Sequence, residues 1–265
     1  MIWTHNLNPE IIHIWKNIAI RWYSLAYFLA FVIAIFWFNY LVKNNYLNLN
    51  TKEKEDLLFY LFLGVVVGGR FFYFIFYHTE LIINDPLEIL RFWHGGMSFH
   101  GGFIGVLIGT YIFAKQYNKN LWKLFGAEGM IAPVGLFFGR LGNFINGELW
   151  GKPTNGEWGI IFPGAGPLPR HPSQLYEAFT EGILLFLILL VIFKVRKNLY
   201  YLGPLFGIGY STFRFIVEYF REPDRHMGNI FLNSLSMGQI LSFLMLVFSV
   251  IVLIFISKKN RRKNV

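Results

Sequence analysis

The chain has 265 residues, 55% of them hydrophobic and 15% charged, with 30 phenylalanines, eight tryptophans and no cysteine. The lack of cysteine excludes disulfides, cysteine-ligated metals and a cysteine nucleophile within these residues. The formal charge of +9 would suit nucleic acid. The basic residues instead sit in short segments between apolar runs and at the C-terminus, as membrane topology demands, so no nucleic-acid partner is expected.

In chain order, Pro9 to Ile20 reads as an interfacial helix, and the first apolar run, 22–42, has the length needed to cross ~30 Å of hydrocarbon. It starts late and is long enough to span, so it reads as a membrane helix rather than a cleavable leader. The second span covers 57–77, with Gly64 and Gly68 at packing spacing and Arg70 in its second half. Arg70 has no motif around it and reads as structural or lipid-anchoring. A loop with Pro86 leads to the third span, 98–114, where Gly101, Gly105 and Gly109 form a stripe that lets helices approach closely. The fourth span is 124–145. Residues 146–172, rich in glycine and proline, read as an ordered surface loop. Spans at 173–193, 200–220 and 235–257 complete the chain, which ends in a basic cluster.

The expected fold is therefore all-α, a single transmembrane domain of seven helices. Seven spans alternate the loops between two sides, with fourteen basic residues on one and seven on the other; Arg70, Arg140 and Arg214 remain within spans. The positive-inside rule then puts the N-terminus and the 146–172 loop outside and the C-terminus in the cytoplasm; the resemblance below makes the outer side the periplasm.

This topology brings polar groups together. Arg70, Arg140, Arg214 and Glu218 come late in outward-running spans; Tyr23, His100 and Glu177 come early in inward-running ones. All fall in the outer half of the bilayer. Arg140 and Arg214 lie some six residues, roughly 9 Å, below the outer ends. Buried charge is expensive, so matched depth points to one cavity for an anionic headgroup. Tyr210, Arg214, Glu218 and Arg221 share a helix face, as do Arg140 and Asn143. Two arginines can grip a phosphate through fork-like donors. Glu218 and Glu148 are placed to orient them or to bind hydroxyls, and His100 is the natural general base. Each residue also has a plainer reading: Arg214 with Glu218 as an intrahelical ion pair, His100 as a hydrogen-bonded packing histidine.

The run Gly139-Arg140-Leu141-Gly142-Asn143-Phe144-Ile145-Asn146-Gly147-Glu148-Leu149-Trp150-Gly151 resembles the signature of bacterial prolipoprotein diacylglyceryl transferases. Arg21-Trp22-Tyr23, Gly95-Gly96-Met97-Ser98-Phe99-His100-Gly101-Gly102, His171-Pro172-Ser173-Gln174-Leu175-Tyr176-Glu177 and the stretch from Tyr210 through Arg214 and Glu218 to Asp224 agree in order. Ser24 departs from the glycine common there in the family. The resemblance implies a multi-pass enzyme of the bacterial inner membrane, the first in lipoprotein maturation. Its substrates would be phosphatidylglycerol and the lipobox cysteine thiol of prolipoprotein signal peptides, with membrane lipids around it. It implies no metal or cofactor. It carries importance to Tyr23, His100, Arg140, Asn143, Glu148, Gly151, Tyr210, Arg214 and Glu218. Of these, Tyr23, His100, Arg140 and Arg214 are expected in catalysis, and Arg140, Asn143, Glu148, Gly151, Tyr210, Arg214 and Glu218 in binding phosphatidylglycerol. The competing class is a transporter or lipid-binding module without chemistry, against which the chain shows no inverted repeat.

Overall fold

A computed structural model describes residues 2–15, 18–91, 96–222, 229–231 and 235–261. In order these form β1 (Ile2–Thr4), β2 (Glu10–Trp15), β3 (Ile18–Arg21), α1 (Trp22–Lys43), α2 (Thr51–Leu63), α3 (Gly69–Tyr77), α4 (Thr79–Asn84), α5 (Phe99–Gln116) and α6 (Leu121–Asn146). Then come β4 (Gly159–Ile161), α7 (Ser173–Glu177), α8 (Leu185–Arg196), α9 (Leu202–Val217), β5 (Asn229–Phe231), β6 (Leu235–Ser236) and α10 (Met237–Arg261). Two π segments, Gly64–Gly68 and Ala178–Leu184, join α2 to α3 and α7 to α8.

Among the described residues, five helical stretches are long and apolar enough to cross a membrane: Trp22–Lys43, Thr51–Ile75, Leu121–Asn146, Ser173–Arg196 and Met237–Lys259. Large apolar side chains on them face outward, Phe36 and Phe248 each 67% exposed, which a water-facing helix would not tolerate in such number. The protein is a mostly helical, multi-pass integral membrane protein. Of the two other expected spans, α5 has 18 residues and α9 has 16.

Three expectations are corrected. Pro9 to Ile20 is not a helix: β2 and β3 pair antiparallel, from Glu10 opposite Arg21 to Trp15 opposite Ile18. The stretch is dense in β-branched isoleucine, which suits a pleated surface better than a helix. A cross-strand contact of Glu10 and Arg21 at 3.7 Å closes its open end. The helix that carries the second span begins earlier than the apolar run, at Thr51, because Asn50 and Glu53 form a reciprocal capping box, with bonds of 2.9 and 2.8 Å. The helix at 202 ends at Val217, before the expected Phe220. The loop after α6 is ordered as expected: β4 pairs in parallel with β1, and Arg170 bridges to both Pro153 and Ile160.

The chain forms two compact units, Phe38–Phe125 and Met1–Trp37 with Gly126–Val265. In the first, the glycine stripe of α5 packs on the π segment: a Cβ on Gly105 would meet the Gly64 carbonyl, and one on Gly101 the Gly68 carbonyl. Arg70 is 2% exposed. Its guanidinium donates to the carbonyls of Glu88 (2.7 Å), Arg91 (2.8 Å), Ile89 (3.0 Å) and Gly96 (3.1 Å) and lies over the Phe74 ring. The structural reading of Arg70 holds: it suspends the segment that leads into α5. In the second unit, Gly126 and Gly129 of α6 bring its backbone against residues 199–203, Gly182 meets Phe137, and Gly207 of α9 abuts Ser249 of α10.

Candidate functional site: a buried arginine–glutamate centre

Several charged residues of the second unit converge on Glu177, the last residue of α7, at the start of a largely apolar helical stretch. Its carboxylate is contacted by Arg140 Nε at 2.5 Å, Arg214 Nη1 at 3.2 Å and Arg221 Nη1 at 3.3 Å. Arg214 also pairs with Glu218 at 2.7 Å, and Ser236 donates to that same carboxylate at 2.9 Å. The intrahelical pair of Arg214 and Glu218 therefore exists, but as one arm of a larger network. Glu177 and Glu181 are essentially unexposed, whereas the Arg140 and Arg214 side chains keep 17% and 13% of their surface. Charges this deep are tolerated only when paired.

Arg140 is held asymmetrically. Its Nε makes a close ion-pair contact with Glu177, while its terminal nitrogens make only long contacts, Nη1 to Asn143 at 3.5 Å and Nη2 to Glu181 at 3.8 Å. That leaves the forked end of the guanidinium open to an anion, in the geometry that suits bidentate phosphate binding.

The signature run closes the centre from one side. Asn143 and Asn146 both donate to Glu148 Oε1, at 2.9 and 3.1 Å. Glu148 thus orients amides, where the sequence reading had it orient a guanidinium or bind hydroxyls. The chain reverses after α6 through Gly147 and Leu149, at φ of 66° and 58°. Gln174 and Ser173 anchor that reversal by donating to the carbonyls of Glu148 (2.6 Å) and Leu149 (3.1 Å), and His5 donates to the Phe144 carbonyl at 2.7 Å. Gly151 sits where a Cβ would strike the carbonyls of His171 and Phe220, so only glycine lets this loop bridge to Arg221. Tyr23 lies against Gly142 and shares a 3.1 Å hydroxyl hydrogen bond with Tyr27. Tyr210, one turn before Arg214, stands within electrostatic reach of Arg140, Glu177 and Glu181.

His100 belongs to the other unit, in the first turn of α5, whose cap is the Ser98 hydroxyl accepting from Gly101. Its side chain lies outside the described residues. The remaining sequence-derived site residues come from the second unit. Sequence reasoning placed Glu177 among the polar groups of the outer cavity without giving it a role, and passed over Glu181 altogether. The signal was present: two acids four residues apart within an apolar span are costly enough to mark a site. Among the described residues, no group of three or more His, Asp or Glu is arranged to hold a metal ion.

Outside the spans, His171 packs against Trp158 and Phe220, at ring separations of 5.0 and 5.3 Å. Partial burial pulls its pKa below the usual histidine value.

Fold and centre together define a multi-pass membrane protein with a buried cluster of paired arginines and glutamates. The family model for prolipoprotein diacylglyceryl transferase matches residues 9–255, and the chain belongs to that family. It is 44% identical over 253 residues to the phosphatidylglycerol–prolipoprotein diacylglyceryl transferase of Idiomarina loihiensis, covering 96% of this chain and 94% of the relative. It is 45% identical over 262 residues to that of Vibrio atlanticus, at 98% and 94% coverage. With the enzyme of the same name from Oleidesulfovibrio alaskensis it shares 45% over 248 residues, at 92% and 91%.

Proposed function

We propose that this chain transfers the sn-1,2-diacylglyceryl group of phosphatidylglycerol to the lipobox cysteine of a prolipoprotein signal peptide. The observation that carries this reading is Arg140, anchored through Nε with its forked end open. A phosphate seated on that fork, with Arg214 beside it through the shared Glu177, gains stabilisation as negative charge gathers on the leaving group. Asn143 and Glu148 fix the wall next to the fork. Tyr23, Tyr210 and Glu218 shape and orient it, and Gly151 ties the signature loop to Arg221.

The thiol of cysteine is mostly protonated near neutral pH, and the thiolate is the nucleophile. In this reading the His100 imidazole takes the thiol proton. The sulfur forms a bond to the glyceryl carbon that carries the phosphate, and the carbon–oxygen bond breaks. Glycerol phosphate leaves with the electron pair, and the products are a thioether and glycerol phosphate. No metal or cofactor enters these steps.

The setting is the bacterial inner membrane. α5 and α9 join the five longer spans to make seven crossings, with a periplasmic N-terminus and a cytoplasmic C-terminus; the uneven distribution of basic loops supports this orientation.

The test is transfer from phosphatidylglycerol to a lipobox peptide by purified protein, with Arg140→Ala and a cysteine-to-serine peptide beside it. Product is expected only from wild type with the cysteine peptide. Headgroup binding without product in wild type would return the centre to a lipid-binding role. Near-full turnover by His100→Ala at neutral pH would remove His100 as the base.

A further inference from the structure

Glu181 stands apart from the other acids of the centre. Glu177 meets three guanidinium groups, Glu218 meets Arg214 and Ser236, and Glu148 meets two amides. Glu181 is 0% exposed, yet neither of its carboxylate oxygens has a hydrogen-bond partner. Its ion-pair contact, Arg140 Nη2 at 3.8 Å, is too long to satisfy it. Around it stand Glu177 from the same helical stretch, Arg140 from α6, Tyr210 and Arg214 from α9, and Arg221 beyond α9. It rides on the π segment Ala178–Leu184, a distortion that recurs at functional sites. An unsatisfied buried carboxylate calls for an explanation, and a donor from a ligand supplies one.

The donor must come from beside the phosphate. Arg140 links the two positions: its terminal nitrogens face the open side, and one of them also faces Glu181. The hydroxyls of a glycerol headgroup lie two and three carbons beyond the phosphate ester, a reach of roughly 4–5 Å by ordinary bond lengths. A carboxylate accepts from such hydroxyls but has nothing to accept from an alkyl headgroup, and it repels a headgroup that carries its own carboxylate. We propose that Glu181 accepts a hydroxyl of the lipid headgroup, so that the centre selects a polyol phosphodiester rather than a phosphodiester alone. This rests on the assignment of the arginine fork to the lipid phosphate.

The test is a cycle of two donors and three proteins. Phosphatidylglycerol and phosphatidylpropanol of matched acyl chains, the second lacking headgroup hydroxyls, are each offered with a lipobox peptide to wild type, Glu181→Met and Glu181→Gln. Wild type should favour phosphatidylglycerol in kcat/KM by about tenfold or more. Glu181→Met should lose that preference through a raised KM for phosphatidylglycerol, with phosphatidylpropanol unchanged. Glu181→Gln, which keeps one accepting oxygen and the side-chain shape, should recover part of it. Equal losses with both donors would mean that Glu181 only props Arg140, and would overturn the proposal. So would a wild type that uses both donors equally, or a Met variant that keeps the full preference. No transfer from either donor by wild type would instead sink the reading of the whole centre, and this proposal with it.

Discussion

Glu177 carries more of the centre than any residue of the signature run. It is a single carboxylate against three guanidinium groups, so its loss leaves three buried cations competing for what remains. Glu177→Gln keeps the shape and removes the charge, and should destabilise the fold by about 3–5 kcal/mol, the usual cost of breaking a buried pair from one side. Unfolding in detergent micelles measures it; an unchanged midpoint would show that the arginines find other partners. Sequence reasoning put Glu177 at the depth of the arginines but not at their centre. Arg214 and Arg221 lie 37 and 44 positions from Glu177, separations at which no local spacing rule applies. His171 makes a separate residue-scale prediction. Its folded pKa is depressed by burial, so the unfolded chain binds more protons as pH falls. Its contribution is complete above the unfolded value near 6.5 and is lost as pH drops through the folded one. Thermal stability should therefore decline on acidification below about pH 6.5, and His171→Gln should make that decline shallower. An identical pH profile in the variant would exclude His171 as a source.

At the level of elements, the helices follow from the apolar runs, and their contacts follow from glycine. The α5 stripe was legible because Gly101, Gly105 and Gly109 recur at one helical face, and it packs as that spacing implies. Gly105→Val would drive two methyl groups into the Gly64 backbone, where no side chain can move aside. It should cost about 1–3 kcal/mol or prevent folding. Unfolding midpoints read against Gly102→Ala make the control, because a Cβ at Gly102 meets only ordinary contacts, the nearest at 3.6 Å. A Gly105→Val protein as stable as wild type would mean the two backbones stand further apart. What the sequence hid was the β2–β3 hairpin, since mixed apolar and polar isoleucine-rich stretches fit a surface helix and a strand equally well on paper. The decision came from pairing with a partner strand, which periodicity does not contain. The capping box at Asn50 and Glu53 was readable from spacing alone, and it moved the helix start to Thr51.

For the whole molecule, orientation is the property that charge counting states most clearly. The cysteine-free sequence makes it simple to check, because a single introduced thiol is the only one present. Asn155→Cys, in the loop after α6, should react with a membrane-impermeant maleimide on intact spheroplasts. Lys197→Cys, just past α8, should react only after permeabilisation. The reverse pattern would invert the proposed topology. Crossing number is read less directly from the helices, because α9 is short and its C-terminal end passes into the turn that delivers Arg221.

The three guanidinium groups around Glu177 also bear on how the chain is made. Synthesis delivers Arg140 first, then Glu177 and Glu181, then Arg214 and Glu218, and Arg221 last. A lone arginine or glutamate at the centre of an inserting helix is disfavoured by about 2.5–3.5 kcal/mol. Arg140 must therefore wait, hydrated or sheltered by the insertion machinery, until its acidic partner Glu177 emerges some 37 residues later. Arg221 therefore completes the ion network late in synthesis, and Ser236, which donates to Glu218, joins it only as α10 begins.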